Sequence, residues 1–209
     1  MSPFLKERVS RCQKELEAKG LDAILITNLT NIYYLTGFSG TSATLLLTSK
    51  RRLLITDARY SLIAKACVSD FDIIESRTPL EVAAKVLKED GLKSLAFENQ
   101  VPFSFYQSLE AVFAGLELLP QSQWVEQFRL IKDQSEIETI AKACSISDKA
   151  FIDVLDFIKP GQTSELEVAN FLDFRMRHYG ATGVSFETIA ASGERSAIPH
   201  GVASSKIIQ

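Results

Sequence analysis

Up to about Leu119 six apolar runs of strand length alternate with helix-length segments, and beyond it the pattern changes to two long amphipathic helices. A chain that alternates in this way buries its strands by setting them side by side, with helices packed on the sheet. The runs lie at residues 22–27, 43–48, 53–56, 71–75, 94–97 and 116–119. Four helices belong to the same region. The first carries the stripe Leu5, Val9, Cys12 and Leu16 and stops at Gly20; the others cover residues 58–67, 79–89 and 102–113. Thr78 and Pro79 suit the N-cap and first position of the third, where a missing N–H costs nothing. The polar stretch 28–31 ends the first strand, and residues 28–40 read as a long aromatic connector carrying Tyr33, Tyr34 and Phe38, rings that either pack the domain's own core or meet a partner subunit. The expectation is an α/β domain over residues 1–122, with the polar, proline-bearing segment Pro120-Gln121-Ser122-Gln123 as linker.

Residues 123–209 follow another rule. Ile137, Ile140, Cys144, Phe151, Val154, Leu155 and Ile158 mark one face of a long helix that Pro160-Gly161 stops. Thr163 or Ser164 caps a second helix, whose apolar side holds Leu166, Ala169, Leu172, Met176 and Tyr179. Residues 184–190 read as a strand, and 206–209 as the first residues of another. Two such helices and a strand cannot enclose a core, because their apolar faces have no sheet to cover. The expectation is that the sequence stops inside its second domain.

Composition excludes several classes. With 46% hydrophobic residues the chain is not disordered. Its 23 basic and 26 acidic residues leave a net charge of −3, with no surplus to neutralise phosphates, so a nucleic-acid partner is not expected. No apolar run approaches the ~20 residues that span a bilayer, and no signal-peptide core opens the chain, so a cytoplasmic protein with no membrane partner is expected. Cys12, Cys67 and Cys144 form no C-x-x-C pair and fall in expected helices; all three read as buried, reduced thiols.

Chemistry-bearing residues are few. His178, near a helix end in Arg175-Met176-Arg177-His178-Tyr179, suits a surface or capping role. His200, between Pro199 and Gly201 on a loop, is well placed for a site, although composition alone favours an ordinary loop histidine. Gly37-Phe38-Ser39-Gly40 lacks the spacing of a nucleophile elbow, and Ser192 to Ser196 offers no triad. No glycine-rich phosphate loop occurs. Asp133, Glu136, Glu138, Asp148, Asp153 and Asp156 sit beside Lys132, Lys142 and Lys149 as solvated pairs, and nothing has metal-ligand spacing.

Several stretches together resemble the Xaa-Pro peptidases, aminopeptidase P and prolidase, of the pita-bread metallopeptidase superfamily. They are Thr27-Asn28 with Asn31-Ile32-Tyr33-Tyr34-Leu35-Thr36-Gly37-Phe38, then Thr56-Asp57-Ala58-Arg59-Tyr60, then Arg129-Leu130-Ile131-Lys132-Asp133 with Glu136-Ile137. The most specific runs from Phe186-Glu187-Thr188-Ile189-Ala190 through Ser192-Gly193-Glu194-Arg195-Ser196 to Ile198-Pro199-His200-Gly201. The resemblance implies a creatinase-type N-terminal domain of mixed sheet and helices, followed by the first part of a pita-bread α+β catalytic domain.

It also implies hydrolysis of the bond between an N-terminal residue and proline, through a hydroxide on two divalent metal ions, commonly manganese. In that family His200 would be the catalytic histidine that hydrogen-bonds substrate or intermediate, and Phe186 would line the substrate pocket. The family's metal ligands lie beyond the Pro-His-Gly motif, so no metal ligand and no bound metal is expected in this chain, and by itself it is expected to hydrolyse nothing. Peptides with proline in second position are the implied substrates. A homodimer is implied, with the N-terminal domain of one subunit over the other's cleft. The alternatives are a non-catalytic pita-bread protein that binds peptides or histones, and a creatinase-like amidinohydrolase. Dipeptidase and longer-peptide aminopeptidase remain open, because loops that close the pocket decide between them.

Overall fold

The computed structural model describes residues 3–209. It comprises two compact units, one ending at Ile131 and the other covering Lys132–Gln209. In the first unit the elements run α1 (Pro3–Ala18), β1 (Ala23–Ile26), α2 (Leu29–Thr36), β2 (Ala43–Thr48), β3 (Arg52–Thr56), α3 (Ser61–Cys67), β4 (Asp72–Glu75), α4 (Pro79–Glu89), β5 (Ser94–Glu98), α5 (Phe103–Val112), β6 (Glu117–Gln121) and the short α6 (Glu126–Arg129).

The strands form one sheet in the order β4-β3-β2-β1-β5-β6. β2 is antiparallel to both β1 and β3, while β3–β4, β1–β5 and β5–β6 are parallel. One reversed strand therefore sits among five that share a direction. Alternation along β1 explains the two-faced core. Ile24 and Ile26 join Val9, Cys12 and Leu16 of α1 and Ile32 and Leu35 of α2 on one face. Ala23 and Leu25 join Leu80, Ala83 and Leu87 of α4 and Leu109 of α5 on the other.

The connector, the linker and the burial of the cysteines differ from expectation. Residues 28–40 are not an open connector. Asn28 accepts the N–H groups of Thr30 and Asn31 as an N-cap, and Gly37 closes α2 at φ 76° with its N–H on the Tyr33 carbonyl. Tyr34 and Phe38 are buried, and the Phe38 ring fills the space where a Cβ at residue 40 would stand, which Gly40 leaves open. Pro120 is a strand residue: β6 lies at the sheet edge, where a missing N–H is tolerated, and Pro120 pairs with Phe97. Beyond it Trp124, Val125 and Phe128 pack into the first face of the core, and the compact unit runs to Ile131. Of the cysteines only Cys12 is buried; Cys67 and Cys144 are exposed, each on the outer side of its helix.

The second unit contains α7 (Gln134–Phe157), α8 (Glu165–His178) and a short 3-10 turn, Gly193–Ala197. Both long helices begin with a reciprocal capping box, Asp133 with Glu136 and Ser164 with Glu167. They pack on each other through Phe157 and Phe171, whose rings stack at 4.1 Å, and through buried Val154, Val168 and Ala169. Ile137, Ile140, Phe151, Leu155 and Leu166, all on the apolar faces read from the sequence, remain exposed. The strand expected at 184–190 is absent: those residues are irregular, held to α8 where the Thr188 hydroxyl donates to Asp173. At 206–209 there is one antiparallel bridge, Ser164 with Ile207, rather than a strand.

Candidate functional site

Open α/β sheets bind ligands beyond the carboxyl ends of their strands, where neighbouring connections leave to opposite faces. The first unit has two such places. The connection after β3 enters α3, whose Ala64 joins one face together with the following Val68, whereas β4 leads to α4 on the other. A crevice of about 700 Å³ opens there, with Thr56, Asp57, Arg59, Ser76 and Arg77 among its walls. Within it Asp57 and Arg59 are already joined. The guanidinium donates from Nε at 3.0 Å and from Nη2 at 2.8 Å, and the Arg59 backbone N–H adds a third bond at 2.9 Å. The Arg59 side chain is the main reason that the Asp57 carboxyl is held well below the usual carboxylate range.

A smaller crevice of about 220 Å³ lies between β1 and β5, where Thr27, Asn28, Glu98 and Glu126 meet. Glu98 accepts from the backbone N–H groups of Thr27 and Asn28, both at 2.8 Å, and from Asn31 Nδ2 at 2.7 Å. Asn31 is fully buried; it also donates to Glu126 at 2.7 Å and accepts from Arg129 at 2.9 Å. These side chains hold β1, α2, β5 and α6 together. The Thr27-Asn28 and Arg129 stretches singled out in the sequence thus meet in one network.

In the second unit the residues expected to act are presented rather than enclosed. His200 is exposed on the loop after the 3-10 turn, with φ at 57°. A non-glycine residue in that left-handed region costs about 1 kcal/mol or more and persists where its surroundings leave no alternative. Phe186 stands on the irregular segment before the loop, its side chain 71% exposed. Among the described residues no hydrogen bond or ring contact joins the two. Arg195 Nη2 donates to the Val202 carbonyl at 2.6 Å, across the tip of the loop. Gly201 donates its N–H to the Ile198 carbonyl at 3.1 Å and is buried.

Sequence reasoning missed the residue beneath this loop. Glu165, the first residue of α8, is completely buried, yet its carboxylate accepts from five donor atoms. Those bonds and the Arg195 charge hold its pKa down to about 2, with the Ser204 hydroxyl the largest influence and burial opposing. Its own N–H and that of Leu166 donate to the carbonyls of Lys206 and Ser204, so the first turn of the helix is closed by chain rather than by water. An acidic residue after a serine N-cap reads as an ordinary helix start, and no sequence signal marked it as buried.

A mixed α/β domain with this strand order, followed by two capped helices and a histidine loop, defines a recognised class. The chain belongs to the creatinase/prolidase N-terminal domain family, which it matches over residues 8–131, and residues 138–209 match metallopeptidase family M24. Among solved structures, an Xaa-Pro dipeptidase from Bacillus anthracis is 40% identical with a TM-score of 0.90, aligned over 98% of this chain and 58% of its own. An Xaa-Pro aminopeptidase structure from Streptococcus pyogenes is 58% identical with a TM-score of 0.61, over 62% of this chain and all of its own. The peptidase YqhT of Bacillus subtilis, uncharacterized by its name, is 44% identical over 91% of this chain. The chain spans 54% of that relative's length.

Proposed function

We propose that the protein is an Xaa-Pro peptidase, removing an N-terminal residue that precedes proline. In this reading His200 hydrogen-bonds the substrate or reaction intermediate and Phe186 lines the pocket for the substrate. The observation that carries it is the backbone of His200: an exposed imidazole kept in a strained conformation between Pro199 and Gly201, in the unit that matches the M24 family. Strain of this kind concentrates at sites where a side chain must be presented in one direction.

M24 peptidases use divalent metals, and two manganese ions are our proposal for the whole enzyme. The residues in hand do not fit such a centre. Among the described residues no group of three or more His, Cys, Asp or Glu is placed to hold a metal, and the buried carboxylate of Glu165 is already occupied by its five donors. A cytoplasmic location and a homodimer, with the N-terminal domain of one subunit over the other's cleft, belong to the same proposal. No helix among the described residues is long and apolar enough to cross a membrane, and α2 leaves Tyr33 56% exposed for a partner surface.

The test is hydrolysis of Xaa-Pro dipeptides and longer Xaa-Pro peptides by the full-length, metal-loaded protein. His200→Ala should lower kcat by about 10²-fold, the range for loss of one hydrogen-bonding group in a reaction site. An unchanged rate would remove His200 from the chemistry.

A further inference from the structure

We propose that Glu165 is a positioning residue for His200: its buried carboxylate grips both ends of the segment 192–204 and so imposes the left-handed backbone that presents the imidazole. This rests on the reading of His200 given above. Oε1 takes both Ser192 bonds, from the backbone N–H at 2.8 Å and the hydroxyl at 3.0 Å. Oε2 takes the Ser204 hydroxyl at 2.6 Å, the Ser204 N–H at 3.3 Å and Arg195 Nε at 3.0 Å. One carboxylate therefore closes a loop whose two ends are twelve positions apart in the chain, 192 and 204. The third ligand, Arg195, reaches on to the Val202 carbonyl and braces the loop from the inside.

Little slack remains between those anchors. Pro199 has a fixed φ, and Gly201 is pressed so closely that a Cβ there would lie 3.2 Å from the Ile198 oxygen. His200 takes up the turn that is left. Helix capping does not account for Glu165, because Ser164 and Glu167 already form the capping box of α8. A carboxylate excluded from water is costly unless every lone pair is used, and here the donors that use them all come from the histidine loop.

Backbone chemical shifts of His200 in the isotopically labelled chain report its left-handed conformation directly, and the shifts of α7 and α8 report whether the unit is folded. Glu165→Gln keeps the shape but turns one acceptor into a donor facing donors. It should remove the left-handed signature of His200 while the α7 and α8 resonances persist, and Glu165→Asp should restore part of it. In the full-length enzyme Glu165→Gln should lower kcat by about 10²-fold, as a displaced group does, with KM within about threefold. Should Glu165→Gln unfold the unit, Ser204→Ala, which removes one hydroxyl donor and keeps the charge, should shift His200 alone. Wild-type His200 shifts in a folded Glu165→Gln or Ser204→Ala chain would overturn the proposal. Unchanged peptidase activity in His200→Ala would instead defeat the reading of His200, and the shift experiment would still decide whether Glu165 holds it.

Discussion

The indole Nε1 of Trp124 donates to the Sγ of Cys12 at 3.1 Å, so the segment after the last strand is fastened to the first helix. Both side chains are almost completely excluded from solvent. Burial pushes the Cys12 thiol up to about 12, and the Trp124 donation opposes it only partly. Thiolate is the reactive form, so Cys12 should be inert at pH 8 in the folded protein. Colorimetric thiol titration should count two groups, Cys67 and Cys144, in the native chain and a third only in denaturant. Three rapid reactions in the native state would show that α1 and Trp124 do not stay together.

Asp22 fastens β1 to the start of β5, accepting the N–H groups of Lys93 at 2.8 Å and Ser94 at 3.0 Å. The Lys93 bond is the main reason its pKa is lowered. Asp22→Ala should cost about 1 kcal/mol in urea unfolding at pH 7, since the site is partly solvated.

Acid should expose the same carboxylates. A carboxyl whose folded pKa lies below its unfolded value, near 4, stabilises fully above that value and loses its contribution as pH falls through the folded one. Asp22, Asp153 and Glu165 are all lowered, Glu165 to about 2. The midpoint of thermal unfolding should therefore change little through these groups from pH 7 to 5 and fall between about pH 4 and 2. Asp22→Ala should flatten part of that fall. A stability that rises on acidification would contradict the assignment.

Ser164 both accepts from the Glu167 N–H at 3.2 Å and donates to its carboxylate at 2.7 Å. Ser164→Ala should destabilise the second unit by about 1 kcal/mol, read as earlier loss of helical circular dichroism in urea. An unchanged midpoint would mean that the Ile207 bridge and the bonds of Glu165 and Leu166 hold the start of α8 without the cap.

Added manganese at micromolar concentration should leave the melting temperature of this 209-residue chain unchanged. Metal stabilises a fold by binding its native ligand set, and no such set is assembled among the described residues. A rise of several degrees would overturn that inference.

Periodicity revealed the first unit where burial is regular. All six strands fall on the apolar runs. Ala-Ile-Leu-Ile at β1 and Leu-Leu-Leu at the centre of β2 are apolar throughout because both faces are covered, while the edge strands β4 and β6 have only two or three apolar residues beside exposed polar ones. Helix α2 was hidden since its start, Asn28 to Asn31, looks like a turn until the Asn28 side chain is seen to cap it. At 184–190 the apolar residues Val184, Phe186 and Ile189 imitate a strand, but among the described residues no strand of this unit lies beside them. The candidate site divides in the same way. His200 stands out because Pro and Gly flank it, while Glu165 does not, because its role depends on a loop that begins 27 residues later.

The sheet order has a consequence for how the chain leaves the ribosome. Strands β1 to β4 are each laid beside a sequence neighbour, but β5 returns to pair with β1. Until residues 94–98 have been made, one side of Ala23–Ile26 is an unpaired apolar edge, the kind of surface that recruits strands from other chains. Synthesis that pauses before residue 94 would prolong that exposure, and Asp22, already waiting at the head of β1, is the group that receives β5 on arrival.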